Sequence, residues 1–259
     1  MKAFPLKAWL LKIGLFTVLL SSAGIATLLA QETIYYIGRA YDLEQPDQLL
    51  YEEHHQLVLE NNHPLNRHVK YYSAQGELIA QKFNDYSSGL TTPSFNLVDL
   101  RDQYSEAATL TENGWQLSQR KNGTEKMDVI EASRYPLIVD AGFDEFVREH
   151  WQTLMAGNTM SFSFAAPARQ DTVAFRLKPV EQSEQQLTVE MRLKSRMLSW
   201  LMAPIVLTYD LNDQKLLSYR GVTNIRDQQG QAHTALILYH YPSVDPLAIK
   251  NSPVPNAHK

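Results

Sequence analysis

The most informative absence in this 259-residue sequence is cysteine. Without a thiol, the chain forms no disulfide, has no cysteine nucleophile and builds no zinc–thiolate site. It also lacks the N-terminal cysteine that carries the lipid of a bacterial lipoprotein. The fold must therefore be held together by its own core, and a hydrophobic content of 44% is sufficient for one.

Positive charge is scarce as well. The 24 lysines and arginines are outnumbered by 28 aspartates and glutamates, which gives a formal net charge of −4. Nucleic-acid binding depends on clustered lysine and arginine, so we expect no nucleic-acid partner. The sequence also contains no GxSxG, SxxK or HExxH motif and no glycine-rich phosphate loop. We therefore predict no cofactor and no catalytic residue, and we favour a non-enzymatic protein.

What the sequence does have is a typical export signal. Three lysines precede an uncharged, largely apolar run over residues 13–30. Cleavage after Ala30 would place Leu28 at position −3, whereas cleavage after Ala26 would place the smaller Gly24 there. If the segment stays uncut, it approaches the roughly 20 residues of a membrane-spanning helix. We favour a cleaved signal over residues 1–30, and both alternatives place the remainder of the chain in the periplasm, beside a membrane.

The rest of the sequence is mainly β. Apolar and polar residues alternate in short runs separated by turn residues, which is typical of antiparallel strands. Asn113-Gly114 and Asn122-Gly123 are the strongest hairpin signals. We predict about eleven to thirteen strands in a single β domain over residues 31–241, followed by a proline-rich tail over 242–259. So many strands rarely form one flat sheet, so we expect a large curled antiparallel sheet, like a half-barrel or barrel.

One amphipathic helix interrupts the strands. An apolar stripe at three- and four-residue spacing predicts it over about 142–156, with Asp140 or Gly142 capping its start and Gly157 ending it. A second, short helical segment is predicted over about 196–203. We expect the longer helix to cover the concave face of the sheet.

The densest polar cluster in the sequence is Glu52-Glu53-His54-His55. Histidine and carboxylate are the ligands that a cysteine-free metal site needs. In a strand, however, alternate residues point to opposite faces, so each face receives only one Glu–His pair. Glu145 and Glu149 lie one turn apart on the predicted helix, where paired carboxylates serve acid–base chemistry if a cleft covers them. For both groups a solvated face is the favoured interpretation, and we predict no metal site.

The apolar candidates are more suggestive. Large apolar side chains on the helix and in the run 197–202 are suited to lining a lipid-sized cavity, touching a membrane or packing in the core. We predict that five of them line a site for a lipid or another apolar small molecule: Phe146, Trp151, Leu154, Trp200 and Met202.

Two segments carry a family resemblance. PIVLTYDLNDQKLLSYRGVTNI (204–225) and YYSAQGELIAQKFNDYSS (71–88) resemble uncharacterised exported β-rich proteins of Gram-negative bacteria. At the level of architecture, the export signal, long meander and covering helix are similar to the periplasmic lipoprotein carriers, which are half-open barrels with an apolar cavity. That resemblance implies an envelope protein that binds a lipid. A hydrolase or metal-dependent enzyme, and a structural or partner-binding module that uses a sheet edge, remain as alternatives.

Overall fold

The computed structural model describes residues 31–131, 133–195 and 202–242. They form a mainly β fold, a single curled sheet of fifteen strands that does not close, with two helices. The predicted fold class is thus confirmed, although the number of strands exceeds the eleven to thirteen expected. The predicted signal segment, nearly all of the proline-rich tail and most of the segment 196–203 lie outside the described residues.

The strands follow one another with short connections for most of the chain. Their bounds are β1 Gln31–Asp42, β2 Leu49–Glu60, β3 His63–Ser73, β4 Leu78–Asp85, β5 Ser94–Asp99, β6 Tyr104–Thr111, β7 Gly114–Lys121, β8 Thr124–Val129, β9 Leu137–Ile138, β10 Met160–Ala166, β11 Asp171–Gln182, β12 Gln186–Leu193, β13 Ile205–Asp210, β14 Leu216–Arg226 and β15 Ala232–His240. The helices are α1 Gly142–Glu149 and α2 Trp151–Met155.

The sheet consists of two meandering arms joined at one seam. Its order is β8-β7-β6-β5-β4-β3-β2-β1-β15-β14-β13-β12-β11-β10-β9. The seam is the antiparallel pairing of β1 with β15, in which Ile37 lies opposite His240. β9 is the exception to the antiparallel pattern because it runs parallel to β10. The first and last long strands therefore lie side by side in the middle of the sheet.

Tight turns explain why the strands pair with their neighbours along the chain. Asn122 and Gly123 occupy the centre of the β7–β8 turn with φ angles of 51° and 77°, as a type I′ turn requires. In the β6–β7 turn, Thr111 pairs with Gly114, so the central residues are 112 and 113 rather than the predicted pair 113 and 114. Asn61 and Asn62, both with positive φ, turn β2 into β3.

The helical segment enters the concave side of the sheet. His150 interrupts it by one residue, so α1 and α2 replace the single helix predicted over 142–156. Gly157 ends it with a φ of 80°, as expected. The start differs from the prediction, because α1 begins after Ala141 without any side-chain cap. Asp140 instead adopts a φ of 42° and turns its carboxylate towards β4, where it accepts hydrogen bonds from Lys82 and Asn84.

Two apolar clusters fill the concave side. The first joins the helices to strands β10–β14, and includes Phe146, Leu154 and Leu207. The second lies mainly on strands β1–β7, where Tyr51 and Leu97 are buried. Tyr219 and Tyr239 pack against both clusters, so the core continues across the seam.

Candidate functional site

The helix residues predicted to line a ligand site lie in the packed core. The exposed fraction is 1% for Phe146, 6% for Trp151 and 0% for Leu154, and all three belong to the first apolar cluster. Met202 is partly buried against the same cluster, and Trp200 lies outside the described residues. The rings of Phe146 and Phe162, 5.4 Å apart, illustrate this close packing. A role of these side chains in ligand binding stays a prediction.

The Glu-Glu-His-His segment divides between the two faces of β2, as the alternation predicts. His54 pairs with Glu52, and His55 pairs with Glu53, each at 3.0 Å between Nε2 and Oε2. The second pair faces the concave side, where His55 stacks on Tyr36. Within the described ranges, no group of three or more histidine, aspartate and glutamate side chains is arranged to hold a metal ion.

The two helix carboxylates also separate. Glu145 forms an ion pair with Arg148, and Glu149 is exposed to solvent. Burial raises the pKa of Glu145, and this effect is opposed by the charge of Arg148. Glu145 and Glu149 therefore do not form an acid–base pair in a shared cleft.

The described part of the chain does contain a cavity, and it lies at one end of the seam. Its volume is about 80 Å³, and it opens between the start of β1, the end of β15 and α1. Much of its wall is apolar or aromatic, formed by Ile34, Tyr36, Leu57, Leu216, Tyr239 and Tyr241. Tyr36 stacks on Tyr241, with 4.8 Å between the ring centroids. Rigid aromatic side chains of this kind can contact a small ligand over a large apolar surface.

Charged groups line the rest of the cavity. Arg67 of β3, whose side chain is only 6% exposed, places Nη1 at 3.3 Å from Oδ2 of Asp144. The other oxygen of that carboxylate accepts a hydrogen bond from the Tyr209 hydroxyl at 3.2 Å. Arg148 and Lys215 also line the cavity, so three cationic side chains share it with one carboxylate.

Two buried polar atoms on the lining side chains lack a partner. Nε of Arg67 and Nδ1 of His55 make no hydrogen bond to the described residues. His55 uses Nε2 towards Glu53, and because a carboxylate only accepts, this nitrogen carries the hydrogen. Nδ1 is then an acceptor, whereas the Nε–H of Arg67 is a donor. Buried polar groups are normally paired, so these two atoms keep hydrogen-bonding capacity that the described residues do not use.

Burial also sets the protonation of the site. It lowers the pKa of His55, although the hydrogen bond to Glu53 acts in the opposite direction, so the ring is neutral at pH 7. Burial likewise raises the pKa of the Tyr36 hydroxyl to about 12, so that group stays protonated. The cavity therefore offers three cationic side chains, the Asp144 carboxylate and protonated tyrosine hydroxyl groups. None of its side chains is in the state of an activated nucleophile.

Sequence reasoning singled out only His55 among the lining residues. The others come from β1, β2, β3, α1 and the strands at the end of the chain, and no local spacing connects them. A partial signal exists in the period-two pattern, since Tyr36, His55 and Arg67 all fall on the concave face of their strands.

No protein-family model matches this chain, and no curated protein or solved structure is significantly similar to it. The resemblance to exported proteins of Gram-negative bacteria therefore stays a prediction. Within the described residues, no helix has the length and apolar character needed to cross a membrane.

Proposed function

We propose that this chain is a non-enzymatic protein of the bacterial envelope that binds an amphipathic ligand, such as a lipid, on the concave side of its curled sheet. The observation that carries the proposal is the cavity at the seam, where aliphatic and tyrosine walls adjoin buried Arg67. Ligand sites are typically concave and mostly apolar, with a few polar groups that fix orientation. The predicted export signal supports a periplasmic location.

The enzyme alternative receives less support from the site. It required at least three of the Glu52–His55 and Glu145/Glu149 groups to meet in one pocket. Only His55 lines the cavity, and its carboxylate partner Glu53 belongs to a buried network with Tyr239. The described hydrogen bond from Lys194 Nζ to Ser161 Oγ, at 2.9 Å, lies outside the cavity, and the cavity lining contains no serine, threonine or cysteine nucleophile.

The partner-binding alternative depends on a free sheet edge. β8 forms such an edge, but it carries Glu125, Lys126 and Asp128 and is exposed over nearly its full length. Charged side chains on an edge strand oppose the addition of another strand. The edge is therefore less suited to β-augmentation than the cavity is to a small ligand.

Native mass spectrometry of protein purified from the periplasm, followed by lipid extraction, tests the proposal. We expect a bound species of defined mass that organic solvent releases, and displacement of that species by an added fatty acid. A clean apo mass, together with no binding of a fluorescent fatty acid in titration, would contradict the proposal and favour the partner-binding alternative.

A further inference from the structure

We infer that the cavity binds the oxyanion end of its ligand, a carboxylate or phosphate group, and that Arg67 and Arg148 recognise it. This inference rests on the proposed function, because it names the chemistry of the ligand's polar end. Three cationic side chains and one carboxylate line the cavity, while Glu145 and Asp213, the ion-pair partners of Arg148 and Lys215, are not part of its wall. The groups that face a ligand are therefore mostly cationic, which disfavours an ammonium head group.

The decisive atom is Nε of Arg67. Both oxygens of Asp144 are already engaged, one by Arg67 Nη1 and the other by the Tyr209 hydroxyl. The Nε–H consequently has no acceptor within the described residues, although it is fully buried. An arginine fork binds carboxylate and phosphate groups through adjacent N–H donors, and Arg67 lines the cavity, so a small turn of its side chain would offer the unused Nε–H to an oxyanion there.

The size of the cavity decides which part of the ligand it holds. Its volume of about 80 Å³ is roughly half of the ~150 Å³ cavity that accommodates a benzene molecule. A head group of a few atoms fits this space, whereas a long acyl chain does not. The chain of an amphipathic ligand must therefore extend out of the cavity, whose lining includes the aliphatic side chains of Ile34, Leu57 and Leu216.

Arg148 gives the site a second, more accessible charge. Its side chain is 29% exposed and pairs with Glu145, one turn of α1 away from the Asp144–Arg67 pair. An incoming anion would therefore share Arg148 with Glu145. Because Arg148 lines the cavity and is partly exposed, its remaining N–H donors can approach an oxyanion that Arg67 also contacts.

Calorimetric titration of the full chain, after removal of any co-purified lipid, tests the inference with matched probes. These are decanoate, decyl phosphate, 1-decanol, decyltrimethylammonium, and inorganic phosphate or acetate without a chain. We expect both decyl anions to bind about ten-fold more tightly than 1-decanol, and the ammonium probe to bind least. Arg67→Gln and Arg148→Gln should each reduce that ten-fold preference and leave 1-decanol binding unchanged.

The control variant is Arg192→Gln. Arg192 forms an ion pair with Glu190 on the outer face of β12, so its loss should change neither affinity nor preference. Arg67→Gln leaves Asp144 without its cation and can unfold the protein, so circular dichroism must accompany each titration. The Arg148 side chain is more exposed than that of Arg67, so Arg148→Gln is the variant expected to fold. It therefore keeps the test valid if the Arg67 variant does not fold.

The outcomes separate the two proposals. Equal binding of decanoate and 1-decanol overturns the oxyanion inference and leaves lipid binding intact. Equal binding of inorganic phosphate and decyl phosphate supports the oxyanion site but overturns the amphipathic ligand of the proposed function. Failure of every probe to bind overturns both.

Discussion

At the scale of single residues, Leu154 shows the difference between a side chain that packs and one that lines a site. It is fully buried between α2 and the sheet. Leu154→Ala should therefore lower the free energy of unfolding by about 2–5 kcal/mol, measured by urea denaturation, since a cavity replaces packed atoms. The control, Leu238→Ala, removes a side chain that is 47% exposed and should cost less than about 0.5 kcal/mol. Equal losses would contradict this packing.

Glu106 is a second residue with a measurable consequence. It accepts a hydrogen bond from the Tyr104 hydroxyl, and burial raises its pKa. The folded state then retains this proton to higher pH than the unfolded state, so the protein loses stability as the pH rises above about 4.5. Glu106→Gln removes that loss. It should raise stability at pH 7.5 by up to about 1 kcal/mol relative to wild type, with little difference at pH 4.

Urea midpoints measured across this pH range check the prediction. Glu112→Gln is the matched control, because it removes a carboxylate that is exposed to solvent rather than buried. A Glu106→Gln profile parallel to that of the wild type would show that the Glu106 carboxyl titrates alike in both states.

At the scale of elements, the packing of the start of α1 against the loop before β5 depends on a glycine. A Cβ atom on Gly142 would overlap the carbonyl group of Thr91 and crowd Pro93. Alanine usually stabilises a helix relative to glycine, yet Gly142→Ala should destabilise this protein by about 3 kcal/mol because backbone must move. Gly157→Ala is the comparison, since Gly157 has a φ of 80° and open space around it and should cost only about 1 kcal/mol.

Thermal and urea denaturation of the two variants give the comparison. We attribute the larger loss of stability, in Gly142→Ala, to the contact between α1 and the loop before β5. The smaller loss, in Gly157→Ala, comes from backbone conformation alone. A stabilising effect of Gly142→Ala would show that the two segments are less tightly apposed than described.

At the scale of the whole molecule, local stability should increase from the edge strand β8 towards the central β1–β15 seam. β8 pairs on one side only, and its side chains are almost all exposed. β1 and β15 pair on both sides and carry fully buried Ala40 and Ala235. Hydrogen exchange followed by mass spectrometry should show β8 exchanging fastest and the β1–β15 seam slowest. Comparable protection in β8 and the seam would contradict this order.

The fold followed from local patterns, whereas the site did not. Alternation and turn residues are local, so the strands, the division of Glu53/His55 from Glu52/His54 and the helix near 142 were predictable. Arg67 approaches Asp144 only because β3 and α1 meet across the concave side, 77 residues apart in the chain. The pairing of β1 with β15 is longer in range still, and no single sequence pattern encodes either contact.

The seam also places the cavity close to Gln31, the first described residue. β1 begins at Gln31 and reaches the cavity wall at Ile34, three residues of strand later, or about 10 Å at ~3.3 Å per residue. If the segment before Gln31 stays in the bilayer as an anchor, the cavity would lie within reach of the membrane surface, and under the proposed function its ligand would exchange there. If the segment is cleaved, the proposed function would instead require the cavity to hold its ligand away from the membrane. Cleavage of this one segment would thus decide whether the protein acts at the membrane or away from it.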